Sequence, residues 1–505
     1  MPLSATRFRQ VAALTAAAAI AFIVARHLIA AHAVLQRGFD GDEAELLHAG
    51  WLMRAGLRLY RDFCEDHSPF LFTILQRLVP DPFDLATYVA RARFFSAACG
   101  VLATGAAATL AYRMSRSLLA PLITLTLLFA SPWVWYRGLS DVRNDPPTLL
   151  LFWLGALFLL GGWKSERVRF AFAGTGIGLI AVAALWNPKW PLDSIVLGII
   201  YLATLRHARG VRNVALAIVP PLIAIAGAIG WIVAAVPWRD YVFFSFKYNQ
   251  LFGAWFTQRA MLTKDWFGGG RPYMYCDPAF RGVAAVVCVI AAIALRKRAP
   301  FALLALAAAA TIEIRFVYPY PNIWPQYYLM WSFVAACLYG TTAAQLLALA
   351  REQVRDGATI AIAVVCAIAV HLMMPIDLAI SGSPIRAYLQ KKLRPGETVW
   401  MLSNNHPIGV RDGGYYWFAM KDLAPFSLAY AAAHPGATPL PPITERDLPV
   451  CRAERGLQPD LRFVSGSGFL DELPEAQRCL DRLIASGRAT RTIGDVWDLH
   501  PEPPR

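Results

Sequence analysis

Charge is scarce in this 505-residue chain: Asp, Glu, Lys and Arg together make up 16% of it, too small a share for an ordinary soluble protein. Acid is the scarcer sign, with 34 Asp plus Glu against 48 Lys plus Arg. Several chemistries lack their residues altogether. The chain has no Walker A loop, no Gly-x-Ser-x-Gly elbow, no His-Glu-x-x-His and no paired Cys-x-x-Cys zinc spacing. "FGGGRP" is glycine-rich, but Pro272 follows it in place of a P-loop helix, so it reads as a flexible loop. There is no internal repeat, and no low-complexity stretch beyond Ala-rich helix packing. No small-residue cleavage site follows the first apolar segment, which therefore reads as an uncleaved anchor.

What is present is apolar. Hydrophobic residues are 57% of the chain, with 16 Trp, 28 Phe and a mean hydropathy of +0.43, the composition of an integral membrane protein. Runs near the roughly 20 residues that cross a bilayer recur at 11–34, 94–112, 118–136, 147–162, 171–188, 192–205, 214–236, 282–295, 299–316, 327–350 and 359–378. The expected architecture is an all-α polytopic bundle of about 11 transmembrane helices. The net charge of +14 is placed in every second short loop: Arg7 and Arg9; Arg113 and Arg116; Lys164, Arg167 and Arg169; Arg206, Arg209 and Arg212; Arg296, Lys297 and Arg298; Arg351 and Arg355. By the positive-inside rule these loops are cytoplasmic. The excess charge is then topology, not a nucleic-acid surface; the N-terminus is inside, and the other loops and everything after about residue 380 face outward.

Three outward segments are longer than a turn requires: 35–93, 237–281 and the tail. In the first, Ala44, Leu47, His48, Trp51, Leu52 and Ala55 form one stripe of an amphipathic surface helix that Gly56 ends. In the tail, "PIRAYLQKKLRPGETVWML" reads as helix, turn and strand, with "LRFVSG" and "VWDLHP" as further strands. Residues 1–380 are thus expected to form the membrane domain and 381–505 a small α/β domain outside it. Cys99, Cys288, Cys337 and Cys366 fall in the spans as packing residues, whereas Cys64, Cys276, Cys451 and Cys479 fall outside, where a disulfide is permitted. Cys451 with Cys479 is the preferred pair.

Acids gather on the outward side. "GFDGDEAELLHAG" holds Asp40, Asp42, Glu43 and Glu45; "YRDFCEDHSPF" adds Asp62, Glu65, Asp66 and His67; "RGLSDVRNDPP" adds Asp141, Arg143 and Asp145. Asp42 with Glu45, or Asp40 with Glu43, has the spacing of a capping box, and each cluster alone is explained by a solvated loop. Together they suit a divalent cation, or a carboxylate held as general base. Lys189, Lys247, Arg271 and Arg315 stand near outer helix ends. They can snorkel to headgroups, pair with the neighbouring Asp193 and Glu313, or line a pocket for a lipid phosphate. Tyr320, Gln326 and Tyr327, in "PYPNIWPQYYLMW", fit an interfacial belt or a sugar-stacking wall.

The "DE" after the first membrane helix, then "AGLRLYRDFCEDHSPF" and a soluble outer tail, resemble the polytopic GT-C glycosyltransferases over most of the chain. The nearest branch holds the protein O-mannosyltransferases, the lipid A aminoarabinose transferase and related bacterial polyprenyl-phosphate-sugar transferases. The resemblance implies an enzyme of the bacterial inner membrane, performing an inverting transfer from a polyprenyl-phosphate sugar to a hydroxyl of an outer acceptor. That acceptor can be lipopolysaccharide, another glycan, a glycolipid or a protein. In some members a divalent cation, Mg or Mn, takes part. The family's first-loop catalytic Asp falls on Asp42, with Glu43 beside it, and its second acidic site on Asp145, with Asp66 a further candidate. The branch's Glu-Lys-Pro element, whose Lys approaches the donor phosphates, is replaced here by "DHSPF". His67, a weaker cation near neutral pH, takes that place, joined by Lys189, Arg271 and Arg315. The rival reading is a transporter or flippase of lipid-linked sugars. Its ionisable groups would sit near the bilayer midplane at broken helices, whereas the candidate charges here lie at outer helix ends.

Overall fold

A computed structural model describes residues 5–34, 41–129, 134, 141–259, 290, 295, 300–313, 328–373, 383–402, 405–417, 423–466 and 470–500. The chain divides into two compact units, one of Met1–Gln36, Arg93–Gly230 and Leu262–Leu378, the other of Arg37–Ala92, Trp231–Met261 and Ala379–Arg505.

The first unit is helical. Among the described residues of the whole chain, six helices are long and apolar enough to cross a membrane: Thr6–Ala30, Leu85–Ser115, Glu166–Trp186, Val211–Ala235, Leu329–Leu347 and Glu352–Met373. This is a multi-pass membrane protein. Four more expected spans overlap the shorter apolar helices Leu119–Phe129, Asp145–Leu160, Pro191–Leu205 and Phe301–Ile312. The span expected at 282–295 lies outside the described residues but for two positions. Asp145–Leu160 packs on Glu166–Trp186, Leu119–Phe129 on Leu329–Leu347, and Ala5–Val34 on Glu352–Met373. Glycines set one of the closest approaches. A Cβ on Gly174 would lie 2.3 Å from the Ala217 carbonyl oxygen, and one on Gly178 would meet Pro221 and Ala224, as small residues allow in membrane helices. These contacts advance in the same direction along both chains, so Glu166–Trp186 and Val211–Ala235 run parallel.

The second unit is assembled from three stretches of chain. The helix Gly41–Arg54 packs on Pro69–Leu78, and Gly56, at φ +91°, follows it as the sequence predicts. The strands are β1 (Phe63–Cys64), β2 (Thr398–Trp400), β3 (Tyr416–Trp417), β4 (Leu461–Ser465), β5 (Ala489–Ile493) and β6 (Val496–Leu499). β1 pairs in parallel with β3, joining the first loop to the tail. The other four form a sheet in the order β2-β4-β6-β5, parallel at β2–β4 and antiparallel beyond. Leu389 from the helix Pro384–Lys392 packs with Val399, Met401, Phe463 and Val496 to make its core. The Cys451–Cys479 disulfide ties the helix Pro449–Glu454 to Pro474–Ala485.

Candidate functional site

Asp42 and Glu43 occupy the first turn of Gly41–Arg54, where the helix dipole favours acids. Asp42 is half-buried, and Glu43 and Glu45 are buried. Asp42 lies within the helix, and Glu45 meets the side chain of Glu65, so the Asp42–Glu45 capping box is not its setting. Asp40 lies outside the described residues.

The turn after β1 brings Glu65, Asp66 and His67 together. Glu65 Oε2 accepts from the Asp66 amide and from His67 Nδ1, both at 3.1 Å, and Asp66 Oδ1 lies 2.8 Å from the same Nδ1. Two side chains hold the turn from outside, and a third braces the backbone of one of them. The Tyr60 hydroxyl donates to the His67 carbonyl, Asn249 Nδ2 donates to the Asp66 carbonyl, and the Tyr415 hydroxyl donates to the Tyr60 carbonyl at 3.0 Å.

The electrostatics follow from acid crowding in a dry place. Burial, then the charges of Glu65, Asp42 and Asp66, push the Glu45 carboxyl well above the ordinary range. Burial also raises Glu65, against the opposing pull of His67. For His67 burial disfavours the charged ring, but Asp66 and Glu65 outweigh it and push the imidazole up to about 10. A ring that sequence reasoning makes a weak cation is therefore charged at neutral pH. The ligand atoms of Glu65, Asp66 and His67 lie within 4.8 Å of one another, so the turn fits a divalent cation: carboxylates suit Mn or Mg, and an imidazole nitrogen suits a transition metal. A metal at Nδ1 must displace the proton that the acids hold there.

A second cluster in this unit joins the same helix to the tail. Asp412 accepts from His48 Nε2 at 3.0 Å on one oxygen and from His406 Nε2 at 2.7 Å on the other. Arg386 Nε donates to the His406 carbonyl at 3.1 Å. Burial pushes the Asp412 carboxyl up, but His406 and His48 prevail and hold it down to about 2. Burial, then His406, lowers His48 to about 4. These three ligand atoms also lie within 4.8 Å. Sequence reasoning missed this group. His48 was part of the stripe of the surface helix, and nothing local marks it as the partner of residues some 360 positions away.

In the first unit, Asp145 and Lys189 come together: Lys189 Nζ lies 2.9 and 3.2 Å from the two Asp145 oxygens. Asn187 Nδ2 reaches the same carboxylate at 3.5 Å, Trp186 Nε1 donates to Asn144 Oδ1 at 3.0 Å, and Arg143 pairs with Asp141 at 3.4 Å. Asp193 faces another acid: Glu313 accepts from the Leu192 and Asp193 amides. Arg271, Arg315, Tyr320, Gln326 and Tyr327 lie outside the described residues.

No family model and no curated protein matches the chain. Among solved structures it is similar to ArnT from Cupriavidus metallidurans bound to undecaprenyl phosphate, with a TM-score of 0.63 at 16% identity, covering 95% of this chain and 97% of that one. It is also similar to ArnT from Cupriavidus metallidurans in the apo state, with a TM-score of 0.56 at 15% identity and the same coverage, 95% and 97%. The likeness shows the fold, a GT-C-type membrane fold.

Proposed function

We propose that the chain is a glycosyltransferase that moves a sugar from a polyprenyl-phosphate donor to an acceptor hydroxyl on the outer face of the bacterial inner membrane, with inversion at the anomeric carbon. The observation that carries this reading is the first-loop cluster of Asp42, Glu45, Glu65 and Asp66 with His67, in a fold similar to a protein bound to undecaprenyl phosphate. Nucleotide sugars are cytoplasmic, so an enzyme working outside needs a donor carried across on lipid. The disulfide suits an oxidising compartment.

In this reading Asp42 takes the proton of the acceptor hydroxyl as that oxygen attacks the anomeric carbon, and the bond to the donor phosphate breaks with its electron pair. His67, charged at neutral pH, faces the phosphate oxygens and steadies the charge they gain. Glu45 and Glu65 confine Asp42 and His67 to those roles. A divalent cation held by Glu65, Asp66 and His67 would displace the Nδ1 proton and supply Lewis-acid stabilisation of the phosphate in place of the charged ring. Lys189, neutralised by Asp145, can serve a phosphate only by giving up that partner.

The test is Asp42→Asn in purified protein supplied with a polyprenyl-phosphate sugar and candidate acceptors. Transfer is lost while donor binding and folding survive; an Asn variant of full activity overturns the assignment. Mass profiling of lipids and glycans in cells with and without the chain names the sugar and the acceptor. Sugar flux across proteoliposomes with no glycosidic product overturns the enzyme in favour of a transporter.

A further inference from the structure

The first unit carries a cavity of about 560 Å³ lined by Ser165, Arg167, Arg209, Arg212 and Asn213, with Glu166 its single acid. The first turns of two membrane helices, Glu166–Trp186 and Val211–Ala235, build it with Ser165 and Arg209 just before them. Among the described residues no acid pairs with Arg167, Arg209 or Arg212, while Glu166 lies 3.9 Å from Arg169. Three guanidinium groups thus share one basin with a single carboxylate among them.

The helices make the imbalance worse. Because Glu166–Trp186 and Val211–Ala235 run parallel in contact at Gly174 and Ala217, their N-termini stand at the same end. Each N-terminus presents unpaired amide hydrogens and a partial positive charge, and the Ser165 hydroxyl makes no capping bond. Two like dipole ends side by side with three arginines repel one another. An anion in the basin relieves both terms.

The surroundings say which anion. Both helices are of membrane-spanning length and hydropathy, so their ends lie at headgroup level. Exposed apolar residues lead away from the basin, Ile195, Ile199 and Leu202 on Pro191–Leu205 and Val219, Leu222 and Ile223 on Val211–Ala235. We propose that this basin binds the phosphate of an anionic phospholipid headgroup, with the acyl chains along those two apolar tracks. The site does not depend on the proposed transferase activity. It gives these arginines a ligand where the positive-inside rule gives them only an orientation.

The test is native mass spectrometry of the full chain in detergent, titrated with phosphatidylglycerol, phosphatidylcholine or inorganic phosphate. Phosphatidylglycerol should bind at least about tenfold more tightly than phosphatidylcholine. Combined Arg167→Gln, Arg209→Gln and Arg212→Gln should remove that preference, and Glu166→Gln should strengthen binding. The last variant decides the matter should the triple variant misfold, since misfolding cannot produce a gain. Equal binding of the two lipids, a triple variant that folds and keeps the preference, or a Glu166→Gln without gain overturns the proposal. Displacement of phosphatidylglycerol by an equal concentration of inorganic phosphate overturns the lipid as ligand in favour of a free anion.

Discussion

The acid clusters of the two units differ in how their charge is answered. In the first unit, buried Asp141 and Asp145 each face a base, Arg143 and Lys189, and Asp193 beside Glu313 is the exception. In the second, Glu45, Glu65 and Asp66 crowd toward one another and toward His67, and the strain shows as protons held against the ordinary order: a carboxyl pushed up at Glu45 and an imidazole pushed up at His67. A matched pair holds chains together, and its protonation is fixed. A surplus of acid leaves protons free to be exchanged with a substrate. Acid surplus, more than acid number, separates the cluster proposed to react from the one that braces helices.

That contrast can be broken most directly at Asp42. Asp42→Asn should lower turnover by about 1,000-fold, or roughly 4 kcal/mol of barrier, with the melting temperature nearly unchanged. The matched pair should respond in the opposite sense. Lys189→Met strands the buried Asp145 carboxylate and should cost on the order of 3 kcal/mol of stability, and adding Asp145→Leu should restore most of it. Denaturation of both variants in detergent reads the difference, and a single variant as stable as the parent would deny the pair its bracing role. Asp412→Asn comes next, at about 2 kcal/mol, because it weakens one carboxylate's grip on two buried imidazoles. Asp412 is held at about 2 against an ordinary 3.8, so its contribution is present above pH 4 and disappears as the pH falls toward 2. Acid melts of parent and variant should therefore converge at low pH.

The sequence made the class of the molecule plain, since apolar runs, alternating basic loops and the strands of the tail all follow local rules. "TVW", "LRFVS" and "VWDL" became β2, β4 and β6, and the Cys451–Cys479 pair formed. The acids of the first loop were legible as a crowd. Their division of labour was not. Glu45 has cap spacing, and only the fold turns it onto Glu65. Lys189 has Asp193 four residues away, yet it bonds Asp145, 44 positions back in the chain. His67 illustrates the same limit: its residue type suggests a weak cation, and two neighbouring carboxylates, Glu65 and Asp66, decide otherwise. Periodicity and loop charge are local properties, but the state of a titratable group is set by whatever distant chain packs against it.

The smallest expected effect gives the sharpest test of the surplus. The His67 imidazole is raised from 6.5 to about 10, so its contacts with Glu65 and Asp66 contribute fully below pH 6.5, weaken as the pH climbs, and are lost past about 10. The ring is 27% exposed, which leaves part of the pairing screened by water and keeps the change small. Melting of the full chain between pH 6 and 10.5 should show a decline of a few degrees that His67→Gln removes. Lys189→Met should retain the slope despite its lower starting point, because its partner Asp145 belongs to the matched cluster. A parent profile with no slope would mean that the acids do not hold this proton. His67 would then be neutral near pH 7, and the physical ground for setting a charged ring against the donor phosphate would be gone.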